Sequence, residues 1–271
     1  MRARAITKAD ATFRVADDER YRQFWDWYES DEWEPDTLAV FERFLRPGAR
    51  YLDVGGWIGP TVLLAAQTAG GVVCVEPDPV AREELERNLD LNPEARAKTT
   101  VVAAAAGATD GTVVLNADGA AGASTSSVVR PVGRGESWYV PQVAAAGLLR
   151  DAAIGHDDLV KMDVGGAEYE IVPAIADELS ERRPHLYVSF HPNLVFDKTS
   201  VRTRLTSGLR ALRLNRRLLR ALLVYRRHYV WDERRRGFRD VRSRNLLRVL
   251  LPLPLRASFA IGACVFTDAE L

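Results

Sequence analysis

Four titratable residues stand where an apolar run stops. Asp53 follows "YL", Glu76 follows "VVCV", Asp163 follows "LVKM" and His191 follows "LYVSF". In an open α/β sheet, ligands bind outside the carboxyl ends of the parallel strands, so residues just past those ends are the candidate site. Asp53 also opens a turn with Gly55, Gly56 and Gly59, after which the apolar pattern resumes in "TVLLAA". A glycine turn leading into a helix brings backbone N–H groups and a helix N-terminus up to a small ligand.

Glu76 lies 17 residues beyond Gly59, where a carboxylate can accept hydrogen bonds from both hydroxyls of an adenosine ribose. Such a site suits a dinucleotide or S-adenosylmethionine (SAM), and the turn discriminates between them. Counted from Gly55, a dinucleotide fingerprint needs glycine at 57 and glycine or alanine at 60, but Trp57 and Pro60 stand there. A bulky ring and a residue without N–H remove the close approach that a pyrophosphate requires. Asp53 would repel that group, whereas it can pair with the cationic amino group of SAM. The residues therefore point to SAM, with Asp53, Gly55, Gly56, Gly59, Glu76 and Asp163 as its candidate contacts.

Methyl transfer needs in-line alignment with the acceptor atom, and an acceptor that gives up a proton also needs a base. His191 is the best-placed base, although the same position suits a histidine bonded to a loop carbonyl. Asp163, expected on the neighbouring strand, would orient the acceptor or the methionine end of SAM. Glu168 starts a helix, where an acid is favoured by the dipole. Asp157, Asp158 and Asp163 do not suggest a metal, because adjacent acids on a strand point to opposite faces. Trp25, Trp27, Tyr28 and Trp33 either wall an acceptor pocket or pack an N-terminal helical cap, packing being the commoner use of such rings. Ser124, Thr125, Ser126 and Ser127 have no His–Asp pair to activate them, which excludes a hydrolase of that type.

The elements that must position these residues alternate. "YLDVG", "GVVCVEP", "TTVVAAAA", "TVVLNA", "DLVKMDV" and "HLYVSFH" read as strands, with "TVLLAAQTA", "PVAREELERNLDLN" and "EYEIVPAIADELSE" as helices between them. This pattern predicts a doubly wound, mostly parallel sheet. "HYVWDE" and "FAIGACVFTD" add an antiparallel edge pair. Residues 13–46 read as helical, with Asp36 capping a helix through Leu38, Phe41 and Leu45 that ends at Pro47 and Gly48. The expected organisation is a helical cap over 1–47 and one compact unit over 48–271. Residues 116–137, rich in Gly, Ala and Ser, read as a loop or flap.

"YLDVGGWIGPTVLLAA", "VVCVEPDPVAREELERNLDLN" and "DLVKMDVGGAEYEIV" resemble, in order and spacing, the three main blocks of the FkbM family of SAM-dependent methyltransferases. "WEPDTLAVFERFLRPG", "GASTSS" and "PHLYVSFHPN" are similar to further family features, so the resemblance covers roughly residues 30–200. It implies a Rossmann-like class I methyltransferase fold of seven strands, the last antiparallel, and methylation of a hydroxyl on a glycoside, glycolipid or secondary metabolite. By the same resemblance, Asp53, Gly55 and Gly59 form the SAM turn, Glu76 holds the ribose, and Asp163 and Glu168 match the acids of a Lys-x-Asp-x-Glu-Gly-x-Glu block. The chain departs from the family at Gly165, where that block has Glu, and at Ser189, where a Glu-x-His pair is common.

The formal net charge is zero, but residues 201–256 hold 17 Arg and only Asp232, Glu233 and Asp240 as acids, so this stretch carries 17 − 3 = +14. Arg210, Arg213, Arg217 and Arg220 share one helical stripe opposite leucines, which suits a solvated face, peripheral contact with an anionic membrane, or attraction of a phosphorylated acceptor. No aromatic-studded motif supports a nucleic-acid partner. Cys74 and Cys264 lack metal spacing and suit buried thiols in a reducing compartment. "LLRVLLPLPL" is broken by Arg248, Pro252 and Pro254, and no charged-then-apolar leader is read, so a cytoplasmic protein is expected. A nicotinamide-dependent oxidoreductase and a non-catalytic SAM-binding scaffold are the competing functional classes.

Overall fold

The structure, a computed structural model, describes residues 2–30, 32–117, 122–124, 126–129, 136–191, 216–241 and 263–271. The chain opens with a hairpin, β1 (Ala3–Lys8) and β2 (Ala11–Ala16), followed by α1 (Glu19–Glu29) and α2 (Pro35–Phe44). Next come β3 (Arg50–Val54), α3 (Pro60–Ala65), β4 (Gly71–Val75), α4 (Pro79–Asp90), α5 (Pro93–Lys98) and β5 (Thr99–Val102). Three strands, β6 (Ala105–Gly107), β7 (Gly111–Asn116) and β8 (Ser137–Ala144), precede α6 (Ala145–Asp151). The remaining elements are β9 (Leu159–Met162), α7 (Glu168–Ala174), α8 (Ala176–Arg182), β10 (His185–Ser189), a helical stretch over 216–222, β11 (Arg227–Asp232), β12 (Gly237–Asp240) and β13 (Ala263–Thr267).

The main sheet has the order β12-β11-β13-β10-β9-β3-β4-β5. β10, β9, β3, β4 and β5 run parallel, while β13 lies antiparallel between β10 and β11. Strand alternation sends successive side chains to opposite faces, and each face has its own core. Leu52, Val54, Val160, Met162 and Leu186 pack with α6, α7, α8 and the 216–222 helix through Leu149, Ile171, Leu179 and Leu222. Tyr51, Cys74, Leu159 and Tyr187 pack with the N-terminal elements, α3 and α4 through Trp25, Phe41, Val62 and Leu85.

The sheets and the N-terminal segment differ from the sequence expectation in three ways. The sheet has eight strands among the described residues, because β12 folds back on β11 as an antiparallel edge beyond the expected seven. "TVVLNA" is β7 and joins a separate three-stranded sheet, order β6-β8-β7. The segment over 1–47 is not purely helical: Ile6 pairs with Phe13 in the β1–β2 hairpin, and Ile6, Phe13 and Val15 are buried in the core shared with α1 and α4. Ala16 N–H and Arg14 N–H donate to Asn88 and Asn92 of α4 and its flank, which ties the hairpin to the sheet layer.

Asp36 does not cap α2. Glu34 holds the N-cap position in the left-handed region (φ 33°), Pro35 opens the helix, and Asp36 instead accepts from the Tyr187 hydroxyl at 2.8 Å. Trp25, Tyr28 and Trp33 are buried and stack edge-on or tilted with Phe13, Phe24 and one another. They pack the core, each such pair contributing about 0.5–1.5 kcal/mol beyond its area. Of the arginine stripe, only Arg217 and Arg220 fall in the described residues, and both are exposed above buried Leu218, Leu219 and Leu222, whereas Leu223 is itself exposed. Arg210, Arg213 and the "LLRVLLPLPL" run lie outside the described residues. Both cysteines are free and buried. Among the described residues, no helix is long and apolar enough to cross a membrane.

Candidate functional site

The carboxyl ends of β3, β4, β9 and β10 converge on one cavity. Val54, Gly55, Val75, Glu76, Asp163 and His191 line it, Trp57 with Ala123, Ser124, Ser126, Ser127 and Val128 closes one side, and Ala105, Ala106 and Leu115 give it an apolar wall. Two backbone bonds close the strand ends around it, Gly55 N–H to Val75 O and Asp163 N–H to Val54 O, both 2.9 Å.

Gly55 is required twice over. Its φ is +94°, and a Cβ there would sit 2.0 Å from the Asp163 carbonyl oxygen. Gly56 and Gly59 do not line the cavity. A Cβ on Gly56 would meet Cys74 Sγ at 2.1 Å, and one on Gly59 (φ +93°) would meet Leu85 Cδ1 at 2.6 Å. These two glycines let the turn lie flat on β4 and α4.

Glu76 is buried, and burial pushes its pKa up to about 7 against the backbone hydrogen bonds that favour its charge. One oxygen accepts from Asp78 N–H and the other from Trp57 N–H, each at 2.8 Å. Asp78 has two tasks. One oxygen caps α4 through Val80 N–H and Ala81 N–H, and the other accepts from Gly122 N–H and the Ser126 hydroxyl. Trp57 Nε1–H and the Tyr21 hydroxyl both donate to the Gly122 carbonyl, at 2.7 and 3.3 Å. The described part of the Gly/Ala/Ser-rich stretch is thus tied over the cavity from three sides.

Asp53 is fully buried and does not line the cavity. Alternation places it on the Tyr51 face of β3, where it accepts from the Thr61 hydroxyl and lies 3.6 Å from Lys161 Nζ. Burial raises its pKa against the charge of Lys161. Lys161 is itself buried, 3.9 Å from Asp163, and the charges of Asp53, Asp163 and Glu34 outweigh burial to hold its ammonium above the ordinary range. Glu34 accepts from the Thr37 hydroxyl, and burial pushes its pKa up to about 7.

Glu168 does more than favour a helix N-terminus. It is fully buried, and its Oε1 accepts from Val164 N–H at 3.1 Å and faces His191 Nδ1 at 2.8 Å. His191 Nε2 lies 3.5 Å from Asp163 Oδ1. Burial opposes the charged imidazole, but the Glu168 hydrogen bond and the two carboxylates together raise the His191 pKa. A donor atom from each of Asp163, Glu168 and His191 lies within 4.8 Å of the others. Asp157 and Asp158 lie before β9 at its opposite end; Asp158 accepts from Arg50 N–H and Gly155 N–H, and Asp157 pairs with exposed His156.

The structure therefore brings Gly55, Glu76, Asp163 and His191 to one cavity and sets Asp53, Gly56 and Gly59 behind its wall. Sequence reasoning gave no role to Lys161, Glu34 or Asp78. Lys161 carried a signal, a charged residue inside an apolar parallel strand; the position of Glu34 beside it follows only from the tertiary fold.

No curated protein matches the chain significantly. Among solved structures it is similar to an FkbM methyltransferase from Methylobacillus flagellatus KT, with 18% identity, a TM-score of 0.36, and coverage of 65% of this chain and 45% of that one. The chain thus spans under half the length of that relative. It is also similar to a precorrin 8W decarboxylase from Methanobacterium thermoautotrophicum, with 15% identity, a TM-score of 0.39, and coverage of 87% and 90%. A precorrin-6y C5,15-methyltransferase from Geobacter metallireducens GS-15 matches at 12% identity and a TM-score of 0.34, covering 76% of this chain and 81% of its own. The model of the methyltransferase FkbM domain matches residues 53–238, which contain every cavity-lining residue, and the chain belongs to the FkbM methyltransferase family.

Proposed function

We propose that this protein transfers a methyl group from SAM to a hydroxyl of a glycoside, glycolipid or secondary metabolite. The observation that carries the reading is the cavity itself, with a ribose-type carboxylate, Glu76, on one strand end and the Asp163–His191 pair on two others. The residues fit SAM. Glu76 would take the ribose hydroxyls, Ala105, Ala106 and Leu115 would cover the adenine, and Gly55 with Asp163 would hold the cationic methionine end. Bound SAM would supply an electrophilic methyl on a positively charged sulfur.

The chain's own part is to orient the acceptor, exclude water and remove a proton. Glu168 on Nδ1 fixes the proton there and turns the Nε2 lone pair of His191 toward the cavity, where it takes the hydroxyl's proton when that nitrogen is free. Asp163 beside it orients the oxygen. Trp57 and Pro60 speak against a dinucleotide, because the turn offers a pyrophosphate neither space nor an N–H at position 60.

Calorimetric titration of the purified protein with SAM and S-adenosylhomocysteine tests this reading. Micromolar binding of both supports it. Absence of binding to either overturns it and leaves a protein that has the fold without the cofactor.

A further inference from the structure

We propose that Asp163 and His191 hold a divalent first-row metal ion at the cavity wall, with Glu168 fixing the imidazole from behind. Both ligands line the cavity, and their nearest donor atoms, Oδ1 and Nε2, are 3.5 Å apart. That is long for a hydrogen bond, whose usual range is about 2.7–3.2 Å. It matches the bite of two donors on one ion: bonds of about 2.1 Å subtend roughly 110° at that separation.

The imidazole is held as metal-bound histidines are held. Its Nδ1 meets Glu168 Oε1 at 2.8 Å, which leaves Nε2 as the lone-pair donor facing Asp163. Glu168 supplies a second and independent sign. Its side chain is fully buried and its Oε2 has no hydrogen-bond partner. A cation held by His191 and Asp163 would offset that enclosed negative charge. Lys161 Nζ lies 3.6 Å from Asp53 and 3.9 Å from Asp163, so one ammonium already serves two carboxylates. One nitrogen and one carboxylate donor suit Mn²⁺, Fe²⁺ or Zn²⁺ better than the all-oxygen shells of Mg²⁺ and Ca²⁺.

The remaining coordination positions open into the cavity, where water or an acceptor hydroxyl would complete the shell. This part rests on the proposed methyl transfer and changes one step of it. With the ion present the Nε2 lone pair would be committed to the metal, and the ion would ease loss of a hydroxyl proton to a neighbouring water and then to solvent. Transfer would form the oxygen–methyl bond as the carbon–sulfur bond of SAM breaks, giving the methyl ether and S-adenosylhomocysteine.

The test uses the full chain and Mn²⁺ alone, with the free ion followed by electron paramagnetic resonance. One tight ion per chain is expected. Asp163→Asn and His191→Ala should each lose it, and Glu168→Gln should weaken it roughly 10- to 100-fold. On the unmodified protein, pulsed spectra of the bound ion should show coupling to one imidazole nitrogen, a readout that does not depend on any variant folding. Absence of binding, binding without nitrogen coupling, or binding that survives all three substitutions in folded protein overturns the proposal. SAM titration separates the two readings. SAM binding without Mn²⁺ binding sinks only the metal site, and Mn²⁺ binding without SAM binding sinks only the methyl-transfer reading.

Discussion

Glu76→Gln should remove a pH dependence from SAM binding. The pKa of Glu76 is pushed up to about 7 by burial, far above its ordinary value of 4.5. At pH 8 the carboxylate is then about nine-tenths ionised, and at pH 6 only about one-tenth. The ionised form can accept two ribose hydroxyls in addition to the N–H groups of Trp57 and Asp78, whereas a protonated acid must spend one lone pair's worth of space on a donor. SAM affinity should therefore fall about tenfold from pH 8 to pH 6, equivalent to about 1.4 kcal/mol. The variant keeps the shape but cannot titrate. It should bind roughly 10- to 100-fold more weakly at pH 8, because a hydrogen bond to a charged group contributes about 1.5–3 kcal/mol, and its affinity should be flat across the range. The same shift predicts that the ligand-free protein loses stability through Glu76 as pH rises from 4.5 through 7, since the folded state holds a proton that the unfolded state has released. Calorimetry of both proteins at pH 6, 7 and 8 is the assay. A flat profile in the unmodified protein, or the same slope in both, would refute the assignment of Glu76 to the ribose.

Three further outcomes follow from the geometry. Gly55→Ala places a Cβ against the Asp163 carbonyl at φ +94° and should cost about 2–5 kcal/mol in urea unfolding, with SAM binding weakened as Asp163 is displaced. Lys161→Met leaves Asp53 as an uncompensated buried charge and should cost about 3–5 kcal/mol, part of which a second change, Asp53→Asn, should restore. Burial holds His185 at a pKa of about 4, packed on Phe44 and bonded to Thr267, so its unfolded form binds a proton that the folded form refuses. The contribution is intact above pH 6.5 and about 3 kcal/mol is lost as pH falls from there to 4; urea titrations of His185→Gln should lack that part of the slope.

The strand ends were legible because each is an apolar run stopped by a titratable residue, and three of the four stops, Glu76, Asp163 and His191, line the cavity. The hairpin was not legible. "ARAITKADATFRVA" alternates, but with Ala, Thr, Arg and Lys at most positions, so Ile6, Phe13 and Val15 are too few to announce two strands. Asp53 shares a face of β3 with Tyr51 and not with the cavity-lining Val54, a period-two relation that the adjacent run of turn glycines obscures in the sequence. Glu168 shows a different limit. Its place at the start of α7 is a local fact, while its bond to His191 joins residues 23 apart whose meeting depends on the register of β9 with β10.

These positions give Asp53 a distinct expected behaviour. It touches Lys161 and Thr61, Lys161 in turn lies beside Asp163, and only Asp163 reaches the cavity. Any effect of Asp53 on a ligand bound there would pass through these two residues. Asp53→Asn retains an acceptor for the Thr61 hydroxyl, and Lys161 retains Asp163 and Glu34 as counter-charges. Stability should fall by about 1–3 kcal/mol, less than for Lys161→Met, because no buried charge is left without a neighbour of opposite sign. SAM affinity in the folded variant should stay within about threefold of the unmodified protein, the size of shift set by less than 1 kcal/mol. Urea unfolding and calorimetry on the same preparation measure both quantities. Loss of SAM binding with stability unchanged would mean that Asp53 turns to meet the ligand directly, and the buried Asp53–Lys161 pair would then be a resting arrangement that the cofactor breaks.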